Sequence, residues 1–453
     1  MTTSRAAITA SRATAVRSSV LAVRVSAVIL CAFGGTVMTW QFFRFVGVFP
    51  GAAVLAAILE VPLLAIGTAL LCLLRPIRIP VLAWSAAAVI WGGSAAIGCA
   101  VLANDGLMSL WAKTAGIAFA ANWSDSLTAP LNEELLKLCG VIMLVLAAPR
   151  LIRGPMDGLV FGALVGLGFQ VAENVTYGLN SIVASGATDP VRAVASSTFV
   201  RYASALGSHW TMTAIGGAGI GYVVLHGATR RAMAVAVVCV AAAMGMHLLF
   251  DAPGLQLAVK VLVNFTVFGV VYLRLRQSYL RRARGALTQL QAVGIVTPTE
   301  AAGLPSRHWR RLTLRREGSP AALEGLRTRQ REILDGVEAS AALAAPACRP
   351  KSRQGQELAD EPLPRSLERL SWWACTLLVA LARQKPTMSA TAAPRNTRLK
   401  MIWVVTAALA SWPAGWTSPY PTVASVATEK YRASVLVCRS TNCPGISATT
   451  VST

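Results

Sequence analysis

The stretch GLVFGALVGLGFQVAENVTYGLN, residues 158–180, decides how this chain folds. No charged side chain lies between Asp157 and Glu173. At about 1.5 Å per residue, a helix through this stretch covers much of a ~30 Å bilayer core. Gly158, Gly162, Gly166 and Gly168 leave room for a neighbouring helix to approach closely. Glu173 then interrupts the apolar run, with no Lys or Arg one turn away to neutralise it.

Outward from this stretch, similar apolar blocks recur at 25–43, 51–74, 80–103, 133–148, 199–225, 231–250 and 256–273, with 157–178 among them. The block at 133–148 is the shortest and can extend backwards through 115–131. Hydrophobic residues make up 55% of the 453 and charged residues only 14%, with a mean hydropathy of +0.55. A water-soluble domain carries about 25% charged residues, so this chain could not cover a soluble surface. The fold class expected is all-α: a polytopic helical membrane bundle of about eight transmembrane helices, with a basic, partly disordered cytoplasmic C-terminal tail.

The charge pattern orients the bundle. With the N-terminus inside, the inner segments hold Arg75 and Arg78, Arg150 and Arg153, Arg230 and Arg231, and Arg274, Arg276, Arg281, Arg282 and Arg284. The outer segments are poorer, with Arg44, Lys113, Arg192 and Arg201 as their main basic residues. The positive-inside rule therefore places both termini in the cytoplasm. The net charge of +22 is topogenic in this reading. Anionic lipid is its natural counterpart; with no recognition motif present, no nucleic-acid partner is expected. Five cysteines (Cys31, Cys72, Cys99, Cys139, Cys239) lie in apolar blocks and no CxxC occurs, so cysteine carries no functional message.

Four segments follow. Residues 1–24 form a cytoplasmic N-terminal segment, 25–275 a membrane domain, 276–340 a basic amphipathic region of one or two short helices broken at Pro305 and Pro320, and 341–453 a poorly ordered tail. The tail is rich in Ala, Pro, Ser and Thr, and its two apolar runs (371–382 and 401–412) are too short to span. Its composition sets it apart from the core function.

Ionisable groups at membrane depth cost about 2.5–3.5 kcal/mol each or more, so each needs a reason. Glu133, Glu134 and Lys137 open the block NEELLKLCGVIMLVL. A plain structural role is available to them: Asn132 can cap a helix start, acids suit its first turn, and Glu133 and Lys137 stand i,i+4. Two adjacent carboxylates at a low-dielectric boundary also suit acid–base chemistry. Glu173, preceded by Phe169 and followed by Asn174, needs a partner from another helix. His209 can be a packing histidine or a site residue. His247 and Asp251 share a helix face, where the acid can orient the imidazole or both can bind one water or metal.

Depth favours a shared site. Glu133 lies 17 residues before Arg150, Glu173 16 after Asp157, His247 16 after Arg231 and His209 21 before Arg230. Each of these markers sits at the inner membrane edge, so all four groups reach a layer roughly 24–32 Å away. Packing residues placed independently would scatter in depth.

The same residues, over roughly 25–285, resemble the PrsW family of intramembrane proteases. The resemblance rests on EExxK at Glu133, Glu134 and Lys137, FxxxEN at Phe169, Glu173 and Asn174, a histidine-bearing span with His209, and HxxxD at His247 and Asp251. The family is similar to the wider group of CAAX prenyl endopeptidases and bacteriocin-processing membrane proteases, whose motifs run EExxxR, FxxxH and HxxxN. Here the basic residue is one position closer, Glu173 stands for a histidine and Asp251 for an asparagine. The resemblance implies a multi-pass protein of a bacterial-type cell membrane that cleaves membrane-anchored protein substrates, typified by anti-sigma factors.

No Ser–His–Asp or GxSxG constellation is present, which disfavours a serine mechanism. The expected catalytic residues are Glu133, Glu134, Glu173, His209, His247 and Asp251, supported by Lys137, Phe169 and Asn174. Glu133, helped by His209 or His247, would polarise a water, while Glu134 and Glu173 orient partners or protonate the leaving group. If a metal is used, it is Zn²⁺ held by Glu173, His209 and His247, although HExxH is absent. Two other classes use the same residues: a transporter or proton relay, and a scaffold that binds partner helices through its glycine faces.

Overall fold

The structure, a computed structural model, describes residues 2–317 and 319–343. Nearly all of the expected tail, from 344 on, lies outside them. All regular secondary structure among the described residues is helical, with no strand. Among the described residues six helical segments are long and apolar enough to cross a membrane: Ser18–Val46 within α1 (Thr2–Val46), α2 (Pro50–Leu73), Leu82–Thr114, α6 (Pro155–Ala184), α9 (Arg230–Asp251) and α10 (Leu257–Ala292). The segment Leu82–Thr114 comprises α3 (Leu82–Trp91), a π-helical turn at Gly92–Ala96, and α4 (Ile97–Thr114). The chain is a multi-pass membrane protein.

The seventh and eighth expected spans are α5 (Ile117–Ala147) and α8 (His209–His226), and both fall short of the apolar standard of the other six. The reason is chemical. Helix α5 carries Glu133, Glu134 and Lys137 within reach of one another, and α8 is bounded by histidines and rich in glycine. Both are sheltered by neighbours: α5 packs on α4 and α9, and α8 lies between α6 and α9.

Two boundaries differ from expectation. Helix α5 begins at Ile117, so Glu133 and Glu134 sit in mid-helix and Asn132 is not a cap; Asn132 donates to Asn104 Oδ1 instead (3.1 Å). The expected span 199–225 is broken: α7 (Pro190–Ser204) and a 3-10 turn at Ala205–Gly207 precede α8, which starts at His209.

Helix α6 is the axis of the bundle. In its most apolar stretch 78% of residues are buried, against 6% in α1 and 11% in α10. Its glycines explain why. A methyl group on Gly158 or Gly162 would strike the α8 backbone at Gly217 or Thr213, and one on Gly166 would lie 2.6 Å from His209 O. On another face Gly168 meets Val89 of α3, and the π-helical turn brings Gly92 against Val165. Close backbone approach supplies the packing that water-driven burial supplies in soluble proteins.

Beyond the membrane segment, α10 runs on unbroken to Ala292 and is followed by α11 (Pro298–Gly303), α12 (Arg307–Arg316) and α13 (Pro320–Leu343). The amphipathic region is thus three helices and an extension, not one or two. Pro305 falls between α11 and α12, and Pro320 opens α13. A second apolar cluster forms here from Ile77, Ala283, Leu287, Val296, Leu304, Ile333, Leu334 and Val337. Glu338 binds Arg75 (3.1 Å), Arg153 (3.0 Å) and Tyr279 (2.9 Å), which ties α13 to the α2–α3 and α5–α6 connections.

Candidate active site

Glu133, Glu134 and Lys137 project from α5, Glu173 from α6, His209 from the first turn of α8, and His247 and Asp251 from the last turns of α9. The structure brings all of them into one cluster. The close seam between α6 and α8 sets His209 against Glu173, and α9 packs on both α5 and α8. Glu133, Glu134, Lys137, His209 and His247 are all buried.

Lys137 organises the interior. Its ammonium has three donors and no acceptor. It donates to Glu134 Oε1 (2.7 Å) and His209 Nδ1 (2.9 Å) and reaches Glu133 Oε2 at 3.5 Å. It also lies 4.1 Å from the centre of the Phe169 ring, a cation–π contact. Because Lys137 only donates, His209 Nδ1 accepts and the ring proton sits on Nε2. That nitrogen faces Glu173 Oε2 at 2.7 Å.

The two adjacent carboxylates occupy different surroundings. Glu134 is saturated: Oε1 meets Lys137 and His247 Nδ1 (3.1 Å), and Oε2 accepts from Thr213 Oγ1 (2.9 Å). Glu133 is oriented through one oxygen, Oε1, which accepts from Asn104 Nδ2 (3.0 Å). Its Oε2 stands 3.7 Å from His247 Nε2 and 4.0 Å from His209 Nδ1. Those gaps exceed a hydrogen bond and suit a third atom shared among the three groups. Asp251 Oδ2 holds His247 Nε2 at 3.2 Å, and the two imidazole rings meet edge to face at 4.9 Å.

An outer ring extends the cluster. Arg201 of α7 pairs with Glu173 and donates to Asn174 Oδ1 (2.6 Å), and Asn174 donates to Glu60 Oε2 of α2 (3.0 Å). The side chains of Glu173, Asp251 and Arg201 are 15%, 22% and 12% exposed, so the cluster opens on this side. Sequence reasoning missed Asn104, Thr213, Arg201 and Glu60 as members. Glu60 was findable, as the lone charge in α2. Arg201 reads as an outer topology marker, and Asn104 and Thr213 are uncharged, so nothing in the sequence singles them out.

The donor set fits a catalytic metal. Glu133, His209 and His247 each offer one ligand atom, all within 4.8 Å of one another. One carboxylate and two imidazoles is a recurrent zinc set. Each of the three has its other polar atom held from outside, His209 Nε2 by Glu173, His247 Nδ1 by Glu134 and Glu133 Oε1 by Asn104, while the inward atoms meet Lys137 at His209 Nδ1 (2.9 Å) and Asp251 at His247 Nε2 (3.2 Å), contacts that a bound ion would replace. Outer partners of this kind orient metal ligands. Lys137 Nζ stands beside the same atoms. Glu173, expected as a ligand, lies one step out and engages Arg201 and His209.

Residues 80–275 match the family model described as PrsW family intramembrane metalloprotease. No curated protein and no solved structure matches the chain.

Proposed function

We propose, from the match of residues 80–275 to the PrsW family model, that this chain hydrolyses a peptide bond of a membrane-anchored protein by activating a water at Glu133. The observation that carries this reading is the convergence of Glu133, His209 and His247 from three helices, with Glu133 held at Oε1 by Asn104 and its Oε2, 3.5 Å from Lys137 Nζ, facing both imidazoles.

Peptide hydrolysis needs an activated water, a stabilised oxyanion and a proton for the leaving amine. Glu133 Oε2 takes the proton of the water. Asn104 holds that carboxylate in place through Oε1. His209, with its proton fixed on Nε2 by Lys137, leaves Nδ1 turned inward. His247 lies between Glu134 (3.1 Å from Nδ1) and Asp251 (3.2 Å from Nε2), which orient its ring. It is therefore the group to hold the oxyanion or protonate the amine. Glu134 and Glu173 are positioning residues. In the alternative form Glu133, His209 and a neutral His247 would hold a zinc ion, which would supply Lewis acidity to the scissile carbonyl and the attacking water in place of Glu133 acting as base. The site lies in the membrane domain 25–275, towards the outer leaflet, with both termini cytoplasmic. Substrates of the anti-sigma-factor type fit this placement.

Co-expression with a library of single-span reporters tests the reading. Wild type releases the soluble part of some reporter, and Glu133→Gln, equally abundant and folded, releases at least about 100-fold less. Metal analysis of the purified protein separates the two forms of the chemistry. Bound zinc and loss of activity on chelation indicate the metal form, whereas full activity in chelator assigns the work to Glu133 alone.

A further inference from the structure

We propose that Glu60 of α2 is a positioning residue for the site, acting through Asn174 and Arg201 on the carboxylate that holds His209. This rests on the proteolytic reading above.

Glu60 is the lone charged residue of α2, a helix otherwise apolar but for Thr68 and outside the segment 80–275. It is 2% exposed. A buried acid at membrane depth is expensive, and Glu60 recovers little of that cost: Oε1 has no hydrogen-bond partner among the described residues. Its other oxygen is fully engaged in a relay. Glu60 Oε2 accepts from Asn174 Nδ2 (3.0 Å), Asn174 Oδ1 accepts from Arg201 Nε (2.6 Å), Arg201 pairs with Glu173, and Glu173 Oε2 faces His209 Nε2 (2.7 Å).

The relay has a direction. An amide can face either way, and Asn174 decides which of its ends meets Arg201. By accepting from Nδ2, Glu60 turns Oδ1 towards the guanidinium. Arg201 is thereby fixed at both Nε and Nη2, and so is the Glu173 oxygen that meets His209. Arg201 only donates and so still selects Oδ1, but without an acceptor at position 60 Asn174 Nδ2 is unpaired, the amide is held at one end instead of two, and the Arg201 Nε anchor loosens.

The test uses full-length protein in lipid nanodiscs, with a single-span reporter peptide and ¹⁵N-histidine labelling. Glu60→Leu should lower kcat by about 10- to 100-fold, the usual effect of losing an outer orienting partner, with KM changed by less than about threefold. The His209 Nε2 resonance should move. Glu60→Gln keeps an acceptor and should recover most of the kcat and the resonance position. If the leucine variant does not fold, Glu60→Asp decides: it retains the charge but falls short of Asn174, so kcat should drop while Glu60→Gln stays active. Overturning results are a leucine variant with wild-type kcat and an unmoved His209 signal, variants that lose activity only in step with Tm, or an active Asp variant beside an inactive Gln variant. If wild type cleaves no peptide, the proteolytic reading fails, and the His209 resonance still reports whether Glu60 sets the relay.

Discussion

Lys137 is the most committed single residue in the cluster. It is wholly enclosed and engages two carboxylates and an imidazole on two helices. Removing one partner of a buried ion pair leaves an uncompensated charge, at a cost of about 3–5 kcal/mol. Lys137→Met should therefore lower thermal stability in detergent markedly, whereas Glu133→Gln should not, because its Oε1 contact with Asn104 survives as an amide oxygen. Equal melting temperatures for Lys137→Met and wild type would remove Lys137 from this role. At the residue scale the sequence was informative wherever charge met hydrophobicity: Glu133, Glu173, His209 and His247 stand out because a bilayer makes each of them costly. The division of labour between Glu133 and Glu134 was not legible, since it depends on Thr213 and Asn104 from other helices. The relay through Arg201 was hidden because an arginine near an expected loop reads as a topology signal.

At the scale of elements, the glycine spacing of α6 fixes the α8 seam and so the distance between Glu173 and His209. Gly162→Leu puts a side chain where the α8 backbone at Thr213 and Ala214 now lies. Overpacking costs about 1–3 kcal/mol, and here relief would require α8 to move, taking His209 with it. The expected outcome is a folded but less stable protein with little cleavage, read by melting temperature and reporter assay together. Wild-type cleavage by that variant would show that the seam does not set the site. The sequence pointed to this face correctly, because small residues in an apolar span have few other uses. It failed at helix boundaries. The backward extension of 133–148 through 115–131 matches α5, but the Asn132 cap expected at its polar stretch does not, and the α7–α8 break carries no proline or charge to announce it.

On the scale of the whole molecule, two regions with different physics meet. The membrane core is packed through close backbones, and the region after α10 is packed through an ordinary apolar cluster sealed by Glu338, with Asp335 paired to Arg78. Truncation after residue 343 leaves all of these contacts intact and should preserve folding and activity. Truncation before α13 strips Glu338, Leu334 and Val337 from the cluster and should lower the yield of folded protein. Equal yields from the two truncations would make α13 dispensable. Sequence patterning conveyed the membrane class and the six apolar spans. It could not show that the two least apolar blocks, α5 and α8, owe their polarity to the site they carry.

Cleavage of one purified single-span substrate in sealed proteoliposomes tests the central claim, that carboxylates and imidazoles from separate helices form one hydrolytic site. Wild type should cut the substrate at a single position, and Glu133→Gln should be at least about 100-fold slower at the same folded fraction. Equal rates for the two proteins, or proton flux through wild type with the substrate left whole, would contradict it.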